Sequence, residues 1–145
     1  MARNVATLQA PASGPIDRTT PSDARLRVTG SPPVLVLISE DPRVSHRANE
    51  ALRIALGIVA GESTVTIVLG GPATRLLDED TDGLVDGDDI AKFRAALRRL
   101  QVPFHVETAA RPADADWNAE GHPIVPVTAA DVAALVAQAR RLLVF

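Results

Sequence analysis

Residues Val34 to Ala60, VLVLISEDPRVSHRANEALRIALGIVA, contain the change of hydrophobic period that decides the fold. Val34 to Ile38 is apolar throughout, rich in β-branched side chains and too short for a helix. It lacks the alternation of a half-wet strand, so it reads as a strand buried on both faces. Such a strand needs layers of structure above and below it. The run breaks at Ser39-Glu40-Asp41-Pro42. Beyond the break Ala48, Ala51, Leu52, Ala55, Ile58 and Val59 recur at three and four, with His46, Glu50, Arg53 and Gly57 on the opposite stripe. A strand, a loop and an amphipathic helix follow one another. In open α/β sheets the loops leaving the carboxyl ends of strands make the ligand site, which directs attention to Ser39 through His46.

The pattern then repeats. Thr64 to Leu69, TVTIVL, is a second β-branched run, ended by Gly70-Gly71-Pro72 as a tight strand-to-helix turn. Neither a G-x-G-x-x-G nor a Walker pattern surrounds that glycine pair, so it carries no nucleotide-binding signature. Ala73 to Leu77 has room for one or two helical turns. From Asp89 onward Ile90, Phe93, Leu97 and Leu100 mark a helix with Lys92, Arg94, Arg98 and Arg99 expected toward water. Pro103 to Val106 is a third strand. Residues 109–121 form a polar loop carrying Trp117, either an interface anchor or a local lid over the core. Two prolines limit Pro123 to Val127 to an edge or irregular strand. Thr128-Ala129-Ala130-Asp131 has the form of a capping box before a helix that buries Val132, Leu135, Val136 and Ala139. Leu142 to Phe145 closes the chain as a last strand. Strands alternating with helices predict one α/β domain, a three-layer sandwich with a mostly parallel sheet of four or five strands.

Composition narrows the function classes. The 145 residues include no cysteine, which removes thiol chemistry and disulfides and fits a reducing, cytoplasmic setting. A net charge of −3 with one Trp, three Phe and no Tyr argues against a stacking platform for nucleic acid. No apolar run reaches the roughly eighteen residues of a membrane span. Residues 1–33 have no continuous apolar stretch of a secretory signal and are rich in Pro, Ser, Thr and Ala. They are expected to form a flexible arm, with Arg25 to Val28 as an added edge strand or a reach toward a neighbouring subunit.

Several segments together resemble the DsrE/DsrF-like proteins, the fold of the TusBCD sulfur-relay subunits. They are the SEDP loop after an apolar first strand, ANEALRIALGI, TVTIVLGG, ALRRLQVPFHV and the terminal ARRLLVF. The resemblance covers Val34 to Phe145. It implies a DsrE-like sandwich and an oligomer: a homo-oligomer, as trimer or hexamer, or a hetero-oligomer with DsrE-like subunits. Sulfur-transferring members carry a cysteine at the end of the third strand, where this chain has Glu107, and Ala109 and Ala110 stand near the place of a second. A carboxylate cannot form a persulfide. The resemblance therefore implies a non-catalytic member serving assembly or partner recognition. An acid–base enzyme built on Glu107 is a third class of reading.

A second, independent pattern lies at Asp78-Glu79-Asp80-Thr81-Asp82-Gly83-Leu84-Val85-Asp86-Gly87-Asp88-Asp89. Carboxylates at loop positions 1, 3 and 5, Gly at 6, an apolar residue at 8 and an acid at 12 match an EF-hand-type calcium loop. The expected Ca²⁺ ligands are Asp78, Asp80, Asp82, the Leu84 carbonyl, Asp86 and Asp89. Asp at position 12 also resembles dockerin-type loops. Seven of these twelve residues are acidic, and without them the chain would carry a formal +4. Gathering such charges costs Coulomb energy that a divalent cation relieves. The bland alternative is a variable acidic surface loop.

The strand ends should also assemble a polar binding rim from Ser39, Asp41, Arg43, Ser45, His46, Gly71 and Glu107. No G-x-S-x-G elbow accompanies Ser45-His46, so a serine hydrolase is not indicated. Asp41 before Pro42 has the form of an N-cap and N1 pair, and Ser45 that of a cap for a later helix start. His46, His105 and His122 lack metal-ligand spacing.

Overall fold

The computed structural model describes residues 34–145. The arm expected over 1–33 lies outside the described residues. Five strands and three α-helices alternate: β1 (Val34–Ile38), α1 (Arg47–Ala60), β2 (Val65–Leu69), α2 (Gly87–Arg99), β3 (Phe104–Glu107), β4 (Ile124–Val127), α3 (Ala129–Gln138) and β5 (Arg141–Val144). A seven-residue 3₁₀ helix, Gly71–Leu77, follows β2, and a single 3₁₀ turn, Thr108–Ala110, follows β3.

All four strand pairings are parallel, in the order β4-β3-β2-β1-β5. β1 therefore has a strand on either side, which explains its unbroken apolar sequence: Leu35, Val36 and Ile38 are buried. Register places Val36, Ile67 and Phe104 side by side, and Ile38 beside Leu69. With Val106 they form one face of the sheet. Ala48, Ala51, Leu52 and Ala55 of α1, with Ile90 and Leu97 of α2, join this face in the main core cluster. The alanines let α1 approach closely, and Leu52 supplies bulk; truncating such a buried leucine typically costs about 2–5 kcal/mol.

The opposite face is thinner. Alternation puts Leu35, Val68 and Val127 there, and right-handed crossover carries the β4-to-β5 connection over it. In α3 only Leu135 is buried, while Val132, Val136 and Ala139 are half-buried. The start of α3 follows its sequence: Thr128 Oγ1 accepts from the Asp131 backbone N–H at 3.1 Å, and the Asp131 carboxylate accepts from the Thr128 N–H at 2.9 Å. β4 is an edge strand, and Pro126 is exposed on it, where a missing N–H costs no ladder bond.

Some expectations shift. α2 begins at Gly87 rather than Asp89, and β3 and β5 sit one residue from their expected places. Arg94, expected in water, is 2% exposed, whereas Leu100, expected in the core, is 52% exposed. The reason is the short helix: Leu100 lies past its last turn, and the inward turn position of Arg94 is filled by a guanidinium that finds backbone acceptors.

Candidate functional site

At the carboxyl end of the sheet the first loop is largely occupied with itself. The Asp41 carboxylate accepts from the Arg43 backbone N–H at 2.9 Å and from its guanidinium at 2.9 to 3.2 Å. That bidentate pairing, outweighing partial burial, holds the Asp41 pKa below the ordinary carboxylate range. Asp41 and Pro42 thus sit in a turn ahead of α1 instead of capping it. Ser45 Oγ accepts from the Arg47 N–H at 3.1 Å, one turn-like contact before the helix, whose N-cap position is taken by exposed His46 without a side-chain cap. Ser39 turns toward β5: its N–H and hydroxyl both donate to the Phe145 carbonyl, at 2.8 and 3.3 Å.

Gly71 and Glu107 do meet. Glu107 Oε1 accepts from the Gly71 N–H at 3.3 Å, at the start of the 3₁₀ helix, where Gly71 adopts φ +53°. A Cβ on Gly70 would come within 3.4 Å of the same oxygen, so the glycine pair leaves room for the carboxylate. Among the seven rim residues, the direct contacts are Asp41 with Arg43, the Ser45 N–H with the Asp41 carbonyl at 3.0 Å, and Gly71 with Glu107; Ser39 is engaged with Phe145 and His46 faces solvent.

Arg75 joins this end to the acidic loop and was not foreseen. It pairs with Asp78 at 3.3 Å and tightly with Asp114, and its charge also reaches Asp41. Burial is the first cause raising the Asp78 pKa, with Arg75 opposing it. Trp117 lies over the 3₁₀ helix as a lid. It is 6% exposed, its indole N–H donates to the Thr74 carbonyl at 2.8 Å, and Arg111 covers the ring at 4.9 Å.

The acidic loop divides its expected ligands. Asp78 faces Arg75, and Asp80 Oδ1 accepts from the Asp82 N–H at 2.9 Å. Asp82, Leu84, Asp86 and Asp89 share a cavity of about 430 Å³ with Thr81, Gly87 and Asp88. Among the described residues no three His, Cys, Asp or Glu groups converge closely enough to hold a metal ion as they stand. Coulomb repulsion among neighbouring carboxylates favours such a spread. Features of two kinds escaped the motif, the first in the backbone of the loop. The positive φ of the loop falls at Asp86 (+57°) rather than Gly83, and Val85 N–H donates to the Pro42 carbonyl at 2.8 Å, tying the loop to the first one. The second is Asn49 of α1, whose amide nitrogen reaches Asp86 at 3.5 Å. A polar residue within an alanine-rich buried face was the signal available for it.

The architecture defines a class: a three-layer α/β sandwich on an all-parallel five-stranded sheet, the DsrE-like fold. The crystal structure of the YchN protein of E. coli matches it with a TM-score of 0.59, covering 79% of this chain and 100% of that one at 16% identity. No family model matches the sequence. No curated protein matches it either. No helix among the described residues is long and apolar enough to cross a membrane.

Proposed function

We propose that this chain is a non-catalytic, DsrE-like subunit that acts through assembly, as a homo-oligomer or with related subunits, or through binding a partner. The observation that carries this reading is the exposure of apolar side chains on β5 and α3. Leu142 and Val144, alternate residues on one side of β5, are 41% and 52% exposed, and α3 presents Ala130, Ala133 and Ala137 to solvent. Exposed apolar side chains on an edge strand are the usual material of a protein interface. Glu107 supports the same reading. It stands where sulfur-transferring relatives are expected to place a cysteine, and its carboxylate is engaged with the Gly71 N–H. Light scattering during size-exclusion chromatography tests the proposal: an oligomer is expected at micromolar concentration, and a clean monomer that captures no related subunit would sink it.

A second reading, calcium binding by residues 78–89, is favoured by one observation. Asp82, Asp86 and Asp89 line a common cavity with Leu84, and a loop closing around a single ion would bring their separated oxygens onto it. Calorimetric titration with calcium chloride should give a binding isotherm that Asp82→Ala with Asp89→Ala abolishes. Absence of heat and of a thermal shift at millimolar calcium would end this reading.

A further inference from the structure

β5 is hydrogen-bonded to β1 along one edge, and among the described residues no strand lies along the other. The Phe145 N–H donates to the Leu37 carbonyl at 2.9 Å and the Phe145 carbonyl accepts from the Ser39 N–H at 2.8 Å, so Phe145 turns its backbone groups inward to β1. Backbone groups alternate along a strand, which turns those of Leu142 and Val144 outward. The Val144 carbonyl receives Arg47 Nη2 at 3.0 Å, which fills one of its two acceptor positions. The side chains of the same two residues are 41% and 52% exposed. Open edges are usually blunted by lysine, proline or a bulge. β5 reads Arg-Leu-Leu-Val, with its charge at the first position.

Charge is distributed unevenly along this edge. Arg140 and Arg141, at the amino end, are exposed and make no ion pair among the described residues. At the carboxyl end Glu40 lies beside Phe145, its N–H donating to the Phe145 carbonyl at 3.3 Å. The Glu40 side chain is also exposed and without an ion pair among the described residues. Arg47, at the same end, is committed to the Val144 carbonyl and to the face of the Phe145 ring. An edge that is basic at one end and acidic at the other complements itself when a second copy runs antiparallel, and sets like against like when it runs parallel.

We propose that β5 pairs antiparallel with β5 of a second copy of this chain, about a two-fold axis at Leu143, so that the two sheets become one. The inference rests on the assembly reading above and names the partner as an identical copy. The axis follows from the outward groups. Only when it passes through Leu143 do both outward residues within β5 find an outward residue opposite: Leu142 faces Val144 of the second copy, Val144 faces its Leu142, and each pair exchanges both backbone hydrogen bonds. Arg47 keeps its place, because the Val144 carbonyl has a second acceptor position. The exposed leucine and valine become cross-strand neighbours on one face. Arg141 falls beside Phe145 of the second copy, next to its Glu40, and the two-fold repeats that contact at the other end.

The chain has no cysteine, so introduced thiols report the register directly. At the axis the two Leu143 residues form a non-hydrogen-bonded pair with Cα atoms about 4.5 Å apart, within disulfide range. Leu143→Cys, oxidised at micromolar concentration and run on a non-reducing gel, should give a covalent dimer. Leu142→Cys should stay monomeric on the gel, because its counterpart lies diagonally at about 7–8 Å. Leu143 also packs against the core, so Leu142→Cys combined with Val144→Cys provides a second reading at exposed positions, where the paired Cα atoms are about 5.5 Å apart and should cross-link. A native oligomer whose Leu143→Cys and double variants keep free thiols, or in which Leu142→Cys cross-links as fast as Leu143→Cys, overturns this pairing and leaves the assembly reading intact. A native chain that is monomeric by light scattering, captures no related subunit and yields no cross-link in any variant removes both.

Discussion

The guanidinium of Arg94 donates to the carbonyl oxygen of Asp78 at 2.8 Å, tying the first residue of the acidic loop to the middle of the helix that leaves it. The same group donates to the Leu76 carbonyl at 2.8 Å and pairs with Glu120 at 3.1 Å. One side chain thus holds the end of the 3₁₀ helix, the start of the loop and the 109–123 connection. Carbonyls facing the core at Leu76 would otherwise lack a donor.

Replacing Arg94 with Met removes these donors but keeps an apolar stem. Because it strands the Leu76 and Asp78 carbonyls, while Glu120 keeps Arg98 at 2.9 Å, the expected loss is about 2–4 kcal/mol in urea denaturation. Arg94→Lys should recover only part of it, since one ammonium cannot reach the three acceptors as a planar fork does. A loss below about 1 kcal/mol for Met would contradict this account.

Two glycines of the acidic loop should behave oppositely. At Gly87 a Cβ would collide with backbone, the Thr81 carbonyl, which cannot swing aside as a side chain can. At Gly83 nothing lies within 4 Å and the backbone is not left-handed. Gly87→Ala is therefore expected to destabilise by about 2 kcal/mol or more, and Gly83→Ala to stay within about 0.5 kcal/mol of native. Equal midpoints of thermal unfolding for the two variants would refute the contrast.

Stability should decline in mild acid because of His122. The ring is 2% exposed, stacks on Phe104 at 4.3 Å and has Nε2 2.9 Å from the Val102 carbonyl. Burial, first among the causes, with Arg98 and Arg94 adding to it, holds its pKa below the ordinary 6.5; the Val102 carbonyl and Glu120 act in the opposite sense. The unfolded chain consequently binds the proton first as pH falls. The contribution of His122 is complete above about pH 6.5 and is lost progressively below it, toward the depressed folded value. Urea midpoints measured from pH 8 to pH 5 should fall more steeply for the native chain than for His122→Phe. Parallel curves would remove His122 as the cause.

Leu142→Glu with Val144→Asp should convert an oligomer to smaller species if β5 lies in its interface, while leaving the circular dichroism spectrum unchanged. Both side chains are substantially exposed, so the single chain bears little penalty for the charges. An unaltered assembly size would move the interface elsewhere.

The sheet and its helices were legible because period and punctuation agree. Val34–Ile38, the alanine face of α1, the capping box of α3 and the edge position of the proline-bearing strand all follow from local rules. Burial of Trp117 was one of two readings left open, and tertiary contact with Thr74 settles it. Arg94, Asn49 and Arg75 were not legible, since each owes its role to acceptors 16 to 39 positions away. Charge at a helical position says nothing of which backbone carbonyls the fold will bring to it. The candidate site was half legible: the residue types of the acidic loop are apparent, while the pairing of Arg75 with Asp114 depends on a connection far along the chain.

Placing β5 beside β1 has a kinetic consequence. Ser39 donates to Phe145, 106 positions later, and the whole β1–β5 ladder spans comparable separations. Every other ladder joins strands that follow one another in the chain. Closing so large a loop has to await the compaction of what lies between, so β1 should acquire its second neighbour last. Until then one edge of the most apolar strand stands open, and the period of greatest aggregation hazard for a newly made chain is the interval before its final strand docks.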